Sequence, residues 1–343
     1  MIRAPLPALS LATIAALCSC SDPDHGPVDG QRAFAHTDRI VGMSPRPPGS
    51  EGIRKVADYI EQQIRESTGL ELQRHTFEKP DLADGVEYQN LWVEIPGRLR
   101  AAGEARPPVL ALAAHYDSKI THPGEQDFEF LGALDAAASC GVLLELADHI
   151  AKEQPVGPDV WIVFFDGEES IDWIWNDERA LIGSRQFVAD MSADEERFPN
   201  GLSARMKVLV LLDLLGGHDM KIDRDTASHA GLLQIFAKTA TEMGRESILS
   251  DFESPMTDDH LPFKNRSVRV IDLIDFAMRD PESDLRDRYP EIAAQYAAWW
   301  HTPNDDMSQV SAESLELVGD LVWNALPKID VEFYDAEPAG SAK

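Results

Sequence analysis

The sequence contains few cysteines and few basic residues. Three cysteines in 343 residues exclude a disulfide-stabilised scaffold and a four-cysteine zinc module. Lysine and arginine total 31 against 60 aspartates and glutamates, which gives a formal net charge of −29. A nucleic-acid-binding protein needs a basic surface, so this charge balance excludes that class. Hydrophobic residues at 43% and aromatic residues at 8% indicate a globular chain with a sizeable core.

The apolar run at the amino terminus is short. It extends from Ala8 to Leu17 after a single positive charge and is too short to span a bilayer. The following segment, Leu17-Cys18-Ser19-Cys20, resembles the lipobox of bacterial lipoproteins, which implies cleavage after Ser19 and a lipid on Cys20. An ordinary secretory signal that is cleaved nearby is the alternative. A lipid anchor would place the protein at the cell envelope, on the periplasmic or outer-surface face of a membrane.

The chain divides into four predicted parts. Residues 1–19 are the predicted signal peptide, and residues 20–33, which contain Pro, Gly and Asp, are a predicted tether. Residues 34–330 are predicted to form a single α/β domain that carries the chemistry, since the sequence contains neither an internal repeat nor a second linker. Residues 331–343 are a predicted loose tail. We expect a monomer.

Apolar strands alternate with helices along this domain. Strands are predicted at 71–77, 89–95, 109–114, 160–165, 208–212 and 268–274, and helices at 51–67, 134–150, 228–242 and 311–326. The central strands are apolar throughout, without the alternation typical of a half-exposed sheet. This pattern predicts a mixed, mostly parallel sheet with helices on both faces. We therefore expect the residues that carry chemistry beyond the carboxyl ends of the strands.

Ionisable side chains follow three of these predicted strands. His115 and Asp117 come after the first, Glu168 and Glu169 after the second, and Asp213 after the third. Buried carboxylates are costly unless a metal ion or a shared proton compensates their charge. Carboxylates mixed with imidazole suit Zn²⁺, so this edge of the sheet is a candidate metal site.

Several short motifs occur in a characteristic order along the domain. They lie at 114–119 (AHYDSK), 132–135 (GALD), 164–169 (FFDGEE), 183–185 (GSR), 211–216 (LLDLLG), 258–263 (DDHLPF) and 300–302 (WHT). Together they resemble the zinc-dependent aminopeptidase-like proteins, and most of all the animal-type glutaminyl-peptide cyclotransferases, over residues 35–328. The resemblance implies an enzyme that converts the amino-terminal glutamine of a peptide to pyroglutamate and releases ammonia.

The resemblance also implies roles for particular residues. The implied ligands of a single zinc ion are Asp135, Glu169 and His301. Glu168 would carry the proton, and Asp213 and Asp258 would form an acidic hydrogen-bonded network with it.

An aromatic substrate pocket is a further implication. Trp175 and Trp300 would line it, although the neighbouring Trp173 and Trp299 could take their places. The long loop at 275–298 borders this pocket and leaves the substrate range open. The resemblance is incomplete at Ala114, where cyclases often have a cysteine that pairs with the one at the position of Cys140, so that disulfide cannot form.

His115 and Asp117 leave two alternatives open. In a cyclase, His115 would lie near the site without binding the metal, and Asp117 would orient its ring. A two-zinc aminopeptidase of the same fold would instead use His115 and Asp213 for a second zinc ion, with Glu168 as the base for a water molecule. The residues after Asp135 lack the Asn and Gly usual in aminopeptidases, which favours the cyclase. A non-catalytic binding lipoprotein is the third alternative.

Overall fold

The structure, a computed structural model, describes residues 26–277 and 299–334. The predicted signal peptide, Cys20 and most of the loop at 275–298 lie outside these residues, as do residues 335–343 of the predicted tail. Within the described ranges, no helix is both long enough and apolar enough to cross a membrane.

The described residues form an alternating series of helices and strands. The α-helices are α1 (Gly30–Val41), α2 (Glu51–Thr68), α3 (Arg98–Ala101), α4 (Ala138–Glu153), α5 (Ile182–Ala193), α6 (Leu202–Arg205), α7 (Ala230–Glu242), α8 (His260–Lys264) and α9 (Ala312–Phe333). The strands are β1 (Gln73–Glu78), β2 (Glu87–Ile95), β3 (Val109–His115), β4 (Asp159–Phe165), β5 (Met206–Asp213), β6 (Ile222–Asp225), β7 (Leu249–Ser254) and β8 (Arg269–Ile274).

Six strands form the central sheet, in the order β1-β2-β4-β3-β5-β8. Strands β4, β3, β5 and β8 run parallel, and β2 and β1 extend the sheet in antiparallel pairs. Strands β6 and β7 form a separate two-stranded parallel sheet. The predicted mixed, mostly parallel sheet is therefore confirmed.

The two faces of the sheet have separate cores because successive side chains of a strand point to opposite faces. In β3, Leu110 and Leu112 belong to the larger hydrophobic cluster, whereas Ala111 and Ala113 belong to the smaller one. Residues of α1, α2, α4, α7 and α9 contribute to the larger cluster, and residues of α5, α6 and α8 to the smaller one. Burial on both faces explains why the central strands show no polar alternation.

The structure differs from the predicted domain limits at both ends. Helix α1 begins at Gly30, inside the predicted tether, and the Asp29 carboxylate caps it by accepting bonds from the first-turn N–H groups. Val28 is buried and its N–H donates to Asp320 of α9 at 3.2 Å. Helix α9 continues to Phe333, past the predicted limit at residue 330; there Phe333 packs against the core and the Tyr334 hydroxyl donates to the Val109 carbonyl at 2.7 Å. Contacts with distant segments, which a local pattern does not reveal, therefore set both limits.

Candidate metal centre and active site

The carboxyl ends of three parallel strands bring the candidate residues together, as expected. His115 ends β3, Glu168 and Glu169 follow β4, and Asp213 ends β5. Residues from three loops, Asp135, Asp258 and His301, complete the site. All but His115 line a cavity of about 260 Å³.

Three buried side chains converge in the manner of metal ligands. Donor atoms of Asp135, Glu169 and His301 lie within 4.8 Å of one another. His301 Nε2 is 3.2 Å from Glu169 Oε1 and 3.6 Å from Asp135 Oδ2. Two ligands bound to one tetrahedral zinc ion at 2.0–2.2 Å lie roughly 3.4 Å apart. The spacing of this group therefore matches a zinc site.

A second group of donors shares Asp135 with the first. His115 Nε2 lies 3.1 Å from Asp135 Oδ1 and 3.3 Å from Asp213 Oδ1. Both ring nitrogens of His115 and Asp135 Oδ2 are buried, and none of these atoms makes a well-aligned hydrogen bond within the described residues, although carboxylate oxygens lie within 3.3 Å of the imidazole. Buried polar atoms without partners are rare in folded proteins, so both groups have the donor chemistry of a cation site.

Asp117 fixes the turn that carries the two glutamates. Its carboxylate accepts bonds from the backbone N–H groups of Glu168 at 3.2 Å and Glu169 at 3.3 Å. Its Oδ1 also lies 3.3 Å from His115 Nδ1. Asp117 thus connects the turn after β4 to the imidazole at the end of β3.

The adjacent glutamates have opposite electrostatic surroundings. Burial and the neighbouring Asp258 raise the pKa of Glu168 well above its usual value. Burial also acts on Glu169, but His301 and Lys119 outweigh it and lower the pKa of that carboxyl. A pair of carboxyls whose pKa values are pushed apart suits one as a proton carrier and the other as an anionic ligand.

Lys119 is a site residue that the sequence analysis missed. Its buried ammonium lies 3.4 Å from Glu169 Oε2 and donates to the Ser170 carbonyl at 2.8 Å. Lys119 belongs to the motif at 114–119, and that membership was the available signal. It supplies a fixed positive charge beside an otherwise acidic site.

The backbone around Asp135 is held from one side by Arg46. The predicted helix at 134–150 begins instead at Ala138, and Asp135 has a non-helical conformation with φ −110° and ψ 83°. The buried Arg46 guanidinium donates to the carbonyls of Gly132 at 2.7 Å and Asp135 at 3.1 Å, and to that of Tyr116 at 2.9 Å. The bond to the Asp135 carbonyl satisfies an acceptor that a regular helix would pair with a later N–H group, in agreement with the start of α4 at Ala138.

Asp305 holds the same segment from the other side. Its carboxylate accepts bonds from the N–H groups of Leu134 at 2.7 Å and Asp135 at 3.2 Å. Asp305 lies four residues after His301, so one loop provides a candidate ligand and positions another. The sequence analysis did not identify Asp305 or assign Arg46 this contact.

The two predicted pocket tryptophans both line the cavity. Trp300 stacks on His301 with ring centroids 3.7 Å apart, and Trp175 donates its Nε1–H to Asp177 at 2.6 Å. Trp173 contacts His301 from another side, at 5.9 Å between ring centroids. Trp299 packs against the main core.

An apolar wall of the cavity was also missed from the sequence. Its members are Leu214, Phe252, Pro255, Met256, Ile274 and Phe276. Leu214 lies in the motif at 211–216, and Pro255 and Met256 lie just before the motif at 258–263; these positions were the available sequence signals. The cavity therefore combines an acidic floor with aromatic and aliphatic walls, as small-molecule sites commonly do.

Several known proteins similar to this chain are named glutaminyl-peptide cyclotransferases. The chain is 28% identical over 301 residues to the glutaminyl-peptide cyclotransferase-like protein of Mus musculus, which covers 82% of this chain and 70% of that protein. It is 30% identical over 235 residues to the glutaminyl-peptide cyclotransferase of Bos taurus, which covers 60% of this chain and 58% of that protein.

A solved structure and a family model agree with these relatives. The glutaminyl cyclase of an Acidobacteriales bacterium superposes with a TM-score of 0.74 at 27% identity, over 95% of this chain and 99% of that one. The model for peptidase family M28 matches residues 93–326, which contain every strand from β3 to β8 and all of the candidate ligands. The chain therefore belongs to peptidase family M28.

Proposed function

We propose that this protein is a zinc-dependent glutaminyl cyclase that converts the amino-terminal glutamine of peptides to pyroglutamate with release of ammonia. The observation that carries the proposal is the three-ligand group Asp135, Glu169 and His301 at the floor of a cavity lined by tryptophans. The similarity to named cyclases supports the same reaction.

The zinc ion would be held by Asp135, Glu169 and His301, and the chemistry it supplies when bound is polarisation of a carbonyl oxygen. Lys119 keeps Glu169 anionic for that purpose, since it lies 3.4 Å from the carboxylate. The Asp117 bonds to the turn keep Glu168 and Glu169 in fixed positions.

Glu168 moves the proton in the proposed reaction. The α-amine nitrogen of the substrate bonds to the carbon of its own γ-carboxamide, and Glu168 accepts the proton that this nitrogen loses. The bond from that carbon to the amide nitrogen then breaks, and Glu168 returns a proton so that ammonia leaves. The raised pKa of Glu168 brings it nearer to that of an α-amine, at about 7.7–8.0, which eases transfer in both directions.

The tryptophans exclude water from this intramolecular reaction. No water molecule takes part in ring closure, so a small and shielded cavity is an advantage. Trp300 shields one side of the site by stacking on His301, and the bond to Asp177 fixes the indole of Trp175. Asp213 and Asp258, both buried beside the site, would share protons with Glu168.

A two-metal aminopeptidase is the second candidate function. The group His115, Asp135 and Asp213 favours it, because these donors could hold a second ion that shares Asp135 with the first. Glu168 would then act as the base for a water molecule.

One experiment separates the candidates. Ammonia release from a peptide that begins with Gln is measured beside amine release from an ordinary aminoacyl substrate, and bound zinc is counted after mild dialysis. The cyclase predicts ammonia release with one zinc ion per chain. Turnover of the aminoacyl substrate alone, with two zinc ions required, would contradict it, and zinc binding without either turnover would favour the non-catalytic alternative.

We also propose that the protein is a lipid-anchored lipoprotein of the cell envelope, with Cys20 as the acylated residue. The support is the segment at 17–20 in the sequence. Replacing Cys20 with Ser should release the folded domain from the membrane fraction or block its processing, which immunoblotting of cell fractions would detect. Unchanged membrane attachment of the variant would disprove the anchor.

A further inference from the structure

The cavity has a solvent-exposed end, which the burial of its lining residues locates. Phe252, Pro255 and Asp177 are exposed there, and Ser254 and Trp175 are partly exposed. Phe252 and Ser254 are two residues apart in β7, so their side chains leave the same face of the strand. The residue between them, the exposed Glu253, points to the opposite face.

Phe252 is an exposed aromatic side chain that lines the cavity. Its side chain is 39% exposed, although removal of apolar surface from water is favourable. In the described ranges, the two large apolar side chains that are more exposed, Ile174 and Val331, do not line the cavity. Phe252 thus combines an exposed ring with a place at the mouth of the site.

We propose that Phe252 and Pro255 form a subsite for the second residue of the peptide substrate, and that this subsite selects a large apolar or aromatic side chain there. The inference rests on the proposed cyclase activity, in which the first residue lies over the metal ligands. The peptide must then leave through the exposed end of the cavity, so its second side chain passes Phe252.

Negative charge at the same end of the cavity further restricts which second residue of the substrate is expected to bind. Asp177 lines the cavity there, and the whole chain carries a formal charge of −29. An acidic second residue would be repelled by this carboxylate. The expected order of second residues is therefore Phe, then Gly, then Glu.

The test compares kcat/KM for ammonia release from Gln-Phe-Ala, Gln-Gly-Ala and Gln-Glu-Ala amides. The unmodified protein should prefer Phe to Gly about tenfold, which is typical of an apolar contact, and the difference should lie mainly in KM. Phe252→Ala should bring the ratio close to one, and Phe252→Leu should restore most of it. Ile174→Ala is the matched control, because this residue is equally apolar, more exposed and outside the cavity lining.

The outcomes distinguish the subsite from the reaction. Release of ammonia from all three peptides at equal rates, or a preference that survives Phe252→Ala, would overturn the subsite and leave the cyclase proposal intact. Absence of ammonia release from every peptide would overturn the cyclase proposal, and the subsite with it.

Discussion

The two ends of strand β4 hold buried carboxylates in opposite surroundings. At its amino end, both oxygens of Asp159 lie 3.1 Å from Arg100 Nε, and Arg205 lies 3.6 Å away. Just past its carboxyl end, Glu168 is buried near Asp258, and no ion pair joins it to a basic side chain in the described part of the chain. A buried carboxylate that is paired with arginine is compensated in its charged form, and loss of the arginine is destabilising, whereas a carboxylate that is kept without a cation is suited to exchange protons.

The largest effect is expected when proton exchange just past the carboxyl end of β4 is removed. Glu168→Gln keeps the size of the side chain but cannot accept a proton, so the rate should fall at least about 10²-fold while zinc stays bound. Glu169→Gln should instead weaken zinc binding, because a neutral amide is a poorer ligand than a carboxylate. For both variants, the rate of ammonia release measures activity and elemental analysis measures the bound zinc.

A fully active Glu168→Gln variant would disprove the assigned proton carrier. Equal loss of zinc from both variants would show that the two adjacent glutamates do not have separate roles.

The next largest effect is expected when the ion pair of Asp159 at the amino end of β4 is broken. Arg100→Met should leave Asp159 buried with only Arg205 and the Gly97 N–H as partners. We expect the free energy of unfolding to fall by about 2 kcal/mol, since removal of one partner strands a buried charge. Urea unfolding measures it, and kcat should be unchanged because this cluster lies at the opposite end of the strand.

The control for this change is Arg106→Met. Arg106 is exposed and makes no ion pair within the described residues, so its removal should have no measurable effect on stability. Similar losses in both variants would mean that net charge, rather than the bond to Asp159, explains the result.

The third effect concerns the loop whose Asp305 positions Asp135, a candidate metal ligand. Asp305→Ala removes both acceptors that hold the backbone of Leu134 and Asp135. Zinc affinity should fall about 10- to 100-fold, which is typical when a partner of a metal ligand is lost. Competition with a chelating dye measures this, and Asn304→Ala on the same loop, an exposed position, serves as the control. Unchanged affinity would show that Arg46 alone holds Asp135.

The sequence revealed the parts of this site that follow local rules. His115, Glu168 and Asp213 were found because each follows an apolar strand of a parallel sheet. The contacts of Arg46 and Asp305 with residues 132–135 were not found, because they join segments about 90 and 170 residues apart. Their roles depend on backbone carbonyls and N–H groups, which no residue pattern displays.

The helices near the domain limits and the apolar wall of the cavity also include features that a local sequence pattern predicts and features that it does not. The helix predicted at 51–67 is α2, and its residues at helical spacing, Ile53, Val56, Ile60 and Ile64, form a buried apolar stripe. Helix α1 was missed because its register is set by packing on α4 and α9. Phe252 was missed because a single exposed aromatic residue in a short strand gives no periodic signal.

The smallest expected effect tests a third kind of buried carboxyl, one with neither an arginine nor a catalytic role. Asp272 in β8 is fully buried, its oxygens have no hydrogen-bond partner within the described residues, and His260 Nδ1 lies 3.8 Å from its Oδ2. Burial, together with Asp258, raises the pKa of Asp272 well above its usual value. Between the unfolded pKa, near 3.9, and the raised folded value, the native state holds a proton that the unfolded state has lost, so this group lowers stability as pH rises.

Asp272→Asn cannot ionise, and it should therefore raise Tm at pH 8, by about 2 °C for each kcal/mol of relieved cost in a chain of this size. The gain should disappear as pH falls towards 4, where the parent carboxyl is protonated in both states. Thermal unfolding of zinc-saturated protein across this pH range measures the difference, with the exposed Asp251→Asn as the control that should show none. An equal gain at pH 4 and pH 8 would mean that the amide improves packing. The two ends of the sheet would then not differ through the cost of an uncompensated buried charge at the carboxyl end.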